Sequence, residues 1–158
     1  MTKKLLGKKI PKFTAAITGD KTISSKDFIG QNLVIYFYPK DSTPGCTKEA
    51  ISFSKLLAEF SKLNCLVFGI SKDTIKKHQN FIKKSNLLVN LLSDETDKVC
   101  EDYGVWVEKS MYGKKYMGIE RTTFLINNKS KIINIWSKVK VTNHVEEVLE
   151  FTKNNLHL

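Results

Sequence analysis

Short apolar runs alternate with amphipathic stretches along the chain, and their two periods separate strands from helices. In "FTAAITGDKTISSKDF" short β-prone pieces flank Gly19-Asp20, a two-residue hairpin signal. "NLVIYFYP" is an unbroken apolar and β-branched run closed by Pro39, and it predicts a strand buried on both faces. From Cys46 to Lys62 the apolar positions Ala50, Phe53, Leu56, Leu57 and Phe60 fall at helical spacing. "CLVFGIS" predicts a second buried strand, and Asp73 is placed to cap a helix running through Lys84. "LVNLLSD" is short and extended, and Ser93-Asp94 then opens a brief helix to about Asp102. "KSMYGKKYMGIE" carries two glycines and reads as a loop. "RTTFLIN" and "KIINIWS" predict an antiparallel hairpin across Asn127-Asn128-Lys129-Ser130. A last helix begins near Thr142 or Asn143 and buries Val145, Val148 and Leu149.

This order implies an α/β fold: a central mixed β-sheet with helices on both faces, preceded by an N-terminal β-hairpin. A strand running directly into a cysteine-bearing helix suits a thioredoxin-like topology. No repeat or composition break divides the 158 residues, so a single domain over 1–158 is expected. Apolar residues make up 41% of the chain, enough for a core without disulfides or metals. No apolar run approaches the roughly 18 residues of a membrane span. The basic start, "MTKKLLGKKIPKF", lacks the apolar centre of a secretory signal, so a cytoplasmic location is expected.

The net charge of +10 invites a nucleic-acid reading, but it comes from 25 lysines and a single arginine, Arg121. Base readout and bidentate phosphate clamps favour arginine, and the lysines are scattered in ones and twos. A solvated basic surface is the better reading, and no specific nucleic-acid partner is expected. The cysteines Cys46, Cys65 and Cys100 form no paired spacing, and His78, His144 and His157 lie near none of them in sequence. Neither a disulfide framework nor a metal site is implied, and no cofactor is expected.

Chemistry concentrates in "YPKDSTPGCTKEA". Thr43 suits a helix N-cap and Pro44 the first helical position, which puts Cys46 in the first turn. There the free backbone N–H groups and the helix dipole favour a thiolate. Gly45 removes side-chain bulk beside the sulfur. A free cysteine is commonly a small buried hydrophobe, which suits Cys65 at a strand start and Cys100 beside Val99. It suits Cys46 poorly, because a turn with Pro and Gly is exposed architecture.

"Pro39-Lys-Asp-Ser-Thr43-Pro-Gly-Cys46" matches the P-x-x-x-T-x-x-C signature of the peroxiredoxins. The fuller "VIYFYPKDSTPGCTKEA", with "VFGIS", "LLSDE", "VCEDYGVWVEKSMYGKKYMGIERTTFLI" and "NHVEEVL", resembles the bacterioferritin-comigratory-protein class, also called peroxiredoxin Q. The resemblance implies a thioredoxin-fold thiol peroxidase that reduces hydrogen peroxide and organic hydroperoxides. It makes Cys46 the peroxidatic cysteine, oxidised to a sulfenic acid. It makes Thr43 the threonine that holds a peroxide oxygen, Pro39 the shield against bulk water, and Arg121 the arginine that favours the thiolate and steadies the departing oxygen. Glu49 is either the acceptor for that arginine or an exposed helix glutamate.

The second cysteine that many members carry five residues on is here Ile51, and the alternative position on the next helix matches Ile82. A one-cysteine cycle is therefore expected, with thioredoxin or glutaredoxin and glutathione as reductant, and a monomer or weak dimer as the working form. Three alternatives stand beside it. Cys100, or less so Cys65, could resolve the sulfenic acid. A dithiol oxidoreductase would need a cysteine where Glu49 stands. A non-catalytic basic binding or chaperone module would leave Thr43, Cys46 and Arg121 without a role.

Overall fold

The computed structural model describes residues 2–19 and 21–156; Asp20 of the expected hairpin turn and His157 lie outside the described residues. Strands β1 (Thr14–Ile17) and β2 (Lys21–Ser24) form the N-terminal hairpin. Then follow β3 (Asn32–Phe37), α1 (Pro44–Ser61), β4 (Cys65–Ser71), α2 (Ile75–Ser85), β5 (Asn90–Ser93) and α3 (Lys98–Asp102). β6 (Trp106–Met111) pairs with β7 (Lys114–Ile119), and β8 (Thr122–Ile126), β9 (Ile132–Trp136) and α4 (His144–Asn155) complete the fold. Seven strands make one mixed sheet in the order β2-β1-β5-β4-β3-β8-β9, with β3, β4 and β5 parallel and the other pairings antiparallel. Among the described residues no helix is long and apolar enough to cross a membrane.

The central strand explains the two-sided core. Every residue of β3 is buried, and successive side chains enter opposite layers. Val34, Tyr36 and Tyr38 pack with Cys46, Ala50, Phe53 and Phe60 of α1, Phe81 of α2 and Val145 and Val148 of α4. Leu33, Ile35 and Phe37 pack on the other face with Phe13, Val99, Cys100 and Tyr103. Each fully buried apolar side chain contributes about 1.5–3 kcal/mol, so the sheet is clamped from both sides at the strand that leads into Cys46.

Three local expectations need correction. Residues 109–120 are not a loop: most of that stretch belongs to the β6–β7 hairpin, whose turn residues Tyr112 and Gly113 have φ of 51° and 79°. A two-residue turn of type I′ needs positive φ at both positions, and a tyrosine at the first gives no composition signal. Asp73 does not cap α2; Thr74 does, accepting from the Lys77 N–H at 3.2 Å. The helix after Ser93-Asp94 starts at Lys98, yet Asp94 still serves it, its carboxylate accepting from the N–H groups of Val99 and Cys100 at 3.2 and 2.8 Å.

Gly69 of β4 lets the Tyr36 ring lie flat between strand and helix. A Cβ at that position would stand 2.6 Å from Tyr36 Cζ and 2.9 Å from Leu91 Cδ2, while Tyr36 stacks on Phe53 of α1 at 4.4 Å. Gly69→Ala should therefore lower unfolding stability by about 1–3 kcal/mol, read from the urea midpoint. An unchanged midpoint would mean that the ring relaxes freely, and that this contact does not hold α1 in place.

Candidate active site

The β3–α1 turn is fixed from beneath by buried polar groups. Tyr38 O–H donates to Asp41 Oδ1 at 2.6 Å, and Asp41 Oδ2 lies 2.7 Å from His78 Nδ1 of α2. His78 Nε2 lies 2.9 Å from the Leu92 carbonyl, which can only accept, so Nε2 carries a hydrogen. The Asp41 N–H donates to Asp73 Oδ2 at 2.8 Å, and the Ser71 hydroxyl donates to the same oxygen at 2.7 Å. Sequence reasoning missed Asp41 and His78 and gave Asp73 another task. Their one signal was polarity between apolar runs, which does not distinguish a buried network from a solvated loop.

Above this network Ser42 takes a positive φ of 63° and Thr43 occupies the N-cap position of α1. The Thr43 side chain does not cap the helix. Its hydroxyl donates to the Lys40 carbonyl at 2.9 Å, which leaves the oxygen's lone pairs as acceptors. Pro39 is exposed at the end of the strand run, and Pro44 is the first helical residue.

Cys46 is the third residue of α1, and here the expectation of exposure fails: it is 1% accessible. The turn around it is partly exposed, but the side chain faces the sheet. Arg121, just before β8, reaches it with Nη2 donating to Sγ at 3.3 Å, while Nη1 donates to Glu49 Oε1 at 2.7 Å. Cys46 and Glu49 lie three residues apart on one helix face, so one planar guanidinium serves both. Glu49 is not an exposed helix glutamate; it is fully buried, and its Oε2 has no partner among the described residues. Gly45 has a definite role in this packing, because a Cβ there would sit 3.2 Å from Arg121 Nη2.

Burial pushes the Glu49 carboxyl up to about 7, with Arg121 partly offsetting it. Burial alone would lower the Arg121 pKa, but Glu49 and Cys46 outweigh it and raise it. The other two thiols are buried. Burial pushes Cys65 up to about 12, and burial with Asp94 holds Cys100 well above the usual thiol range. Ile51 and Ile82 are half-buried against the α1–α2 core layer.

The sequence profile of the AhpC/TSA family matches residues 6–135, most of the chain and all the site residues above. The chain belongs to the AhpC/TSA family. Within that family it is a Bcp or peroxiredoxin Q member. It is 51% identical over 144 residues to the putative peroxiredoxin bcp of Coxiella burnetii, covering 91% of this chain and 95% of that one. The peroxiredoxin Bcp of Bacillus subtilis is 43% identical over 148 residues, covering 94% of each. A structure of the Xanthomonas campestris bacterioferritin comigratory protein superposes with a TM-score of 0.88 at 40% identity, covering 90% of each chain; its subject is that protein's alkyl peroxide reduction. The mixed sheet and flanking helices are thus the thioredoxin-like fold of the peroxiredoxins.

In this family member the buried Glu49 has a consequence for stability. Its folded carboxyl, near 7, binds a proton more readily than an unfolded one near 4.5. The proton therefore stabilises the native state fully below about pH 4.5, and that contribution is lost as pH rises through about 7. Wild-type stability should fall over this window with an extra slope on the order of 1 kcal/mol per pH unit, and Glu49→Gln should lack it. Parallel stability profiles for the two proteins would show that Glu49 does not titrate there.

Proposed function

We propose that Cys46 is the peroxidatic cysteine of this peroxiredoxin and that it works through a one-cysteine cycle. The family membership makes the chain a thiol-dependent peroxidase acting on hydroperoxides; the roles of its residues are our reading. The observation that carries it is Arg121, whose guanidinium joins Cys46 Sγ and Glu49 Oε1 inside the fold. In the proposed step the Cys46 thiolate attacks the terminal peroxide oxygen, the O–O bond breaks, and the product is Cys46 sulfenic acid with an alkoxide or hydroxide that takes up a proton. Arg121 Nη2 is placed to neutralise the charge on the departing oxygen. Thr43 Oγ1, with its hydrogen committed to Lys40, is left to accept from the peroxide O–H. Pro39 screens the turn from bulk water, Gly45 makes room for the guanidinium, and Glu49 fixes its plane.

Ile51 and Ile82 stand where family members carry a second cysteine, and the Cys65 and Cys100 thiols are buried and hard to ionise. This supports reduction by an outside thiol, glutathione with glutaredoxin or thioredoxin, over resolution by Cys100. We place the enzyme in the cytoplasm as a single-domain monomer or weak dimer that needs no cofactor, nucleic acid or membrane.

Peroxide consumption with a small-thiol reductant tests the assignment. Cys46→Ser should abolish it, while Cys65→Ser and Cys100→Ser keep most of it; equal losses from all three would defeat the reading. Without a resolving thiol the sulfenic acid should also meet a second peroxide. Excess peroxide with reductant withheld should add two oxygens to Cys46 by mass. A rapid, stoichiometric intrachain disulfide instead would contradict the one-cysteine cycle.

A further inference from the structure

A groove of about 340 Å³ lies between the Pro39–Lys40 turn and the β6–β7 hairpin, beside the residues that lead to Cys46 and Arg121. Trp106, Tyr116, Met117 and Ile119 supply its apolar wall, and Lys40, Lys72 and Lys109 its charge. The three lysines are not equivalent. Lys72 pairs with Asp97 at 2.7 Å and lies 4.4 Å over the Trp106 ring, so its charge is largely spent. Lys40 and Lys109 have no ion-pair partner among the described residues.

Lys109 is half-buried, and its stem runs across Gly118: a Cβ there would stand 3.2 Å from Lys109 Cδ and 3.5 Å from Cε. Gly118 thus leaves room for this stem along the hairpin. Burial and then the Arg121 charge pull the ammonium below its ordinary pKa, with Glu120 and Cys46 opposing them. A half-buried cation near a second cation, with no ion-pair partner among the described residues, gains most from an anionic ligand.

We propose that this groove binds the reducing thiol, and that it selects a small carboxylate-bearing thiol of the glutathione class. The proposal rests on the one-cysteine reading above. The volume falls within the roughly 300–1,000 Å³ of small-molecule sites. A carboxylate pairs with Lys109, the peptide backbone lies against Trp106 and Tyr116, and the sulfur is delivered to Cys46. The thiol attacks the sulfenic sulfur, a mixed disulfide forms, and the hydroxyl leaves as water with the thiol proton. A second thiol then takes the first as a disulfide and returns Cys46 as a thiol.

The test is to generate the sulfenic acid with one equivalent of hydrogen peroxide, verify it by trapping, and follow its reaction with glutathione and with glutathione diethyl ester, corrected for thiolate fraction. The wild type should favour the free carboxylates by roughly fivefold, the size of one partly solvated ion pair, and the preference should fade with salt. Lys109→Gln should remove it and Lys109→Arg should keep it. Gly118→Val, which pushes the lysine aside without touching its charge, should reduce it and guards against misfolding of the first variant. A wild type indifferent to the carboxylates, or a preference that survives Lys109→Gln, overturns the groove while leaving the peroxidase reading intact. Failure of the sulfenic acid to form would sink both. If Lys109→Gln instead slows oxidation by a fatty-acid hydroperoxide relative to its methyl ester and leaves the thiol ratio unchanged, the groove serves an anionic peroxide and the proposal is wrong.

Discussion

Arg121 sits between a carboxylate and a sulfur in a site from which water is largely excluded, and the rest of the active-site structure follows from keeping it there. Taking two charges out of water costs several kcal/mol per ion, and their attraction repays this only with good geometry. Glu49 is fully buried and has one unpartnered oxygen, so the pair is a poor device for stability. It is a good device for orientation. With Nη1 committed to Glu49 Oε1, the second arm of the guanidinium can face Cys46 without a search through rotamers. A lysine cannot hold that fork, and this gives a physical reason for an arginine at 121 in a chain otherwise supplied with lysine.

The scaffold supports this arrangement at three levels. β3 is clamped between two core layers and ends beside the site. The Tyr38–Asp41–His78 contacts and the two bonds to Asp73 fix the turn that follows. Gly45 then leaves the gap through which the guanidinium approaches the sulfur. β3 and the polar contacts beneath the turn are buried, as a preorganised electrostatic site requires.

Much of this was legible in the sequence. The apolar runs at β3 and β4 and the helical spacing from Ala50 to Phe60 follow directly from burial, so pattern located them well. Pro44 marked the helix start and hence the place of Cys46. The β6–β7 hairpin was hidden because most of its side chains face solvent and Tyr112 occupies a positive-φ position that usually signals itself with Gly or Asn. The burial of Cys46 and Glu49 was hidden for another reason: a turn can be exposed while the side chains after it point inward, and sequence spacing does not say which. Asp41 and His78 meet across 37 residues, so no local pattern could pair them. Lys109 was lost with the hairpin that carries it.

The most direct test of the account is the rate at which hydrogen peroxide oxidises Cys46 when Arg121 is replaced by lysine, measured by rapid mixing on folded protein. The substitution keeps the charge and removes the fork that joins Glu49 to the sulfur. Loss of one aligned donor to a developing oxyanion costs about 2.7–4 kcal/mol, so the second-order rate constant should fall by roughly a hundredfold to a thousandfold. A rate constant equal to that of the wild type would contradict the account, because charge alone, and not the orientation imposed by Glu49, would then suffice.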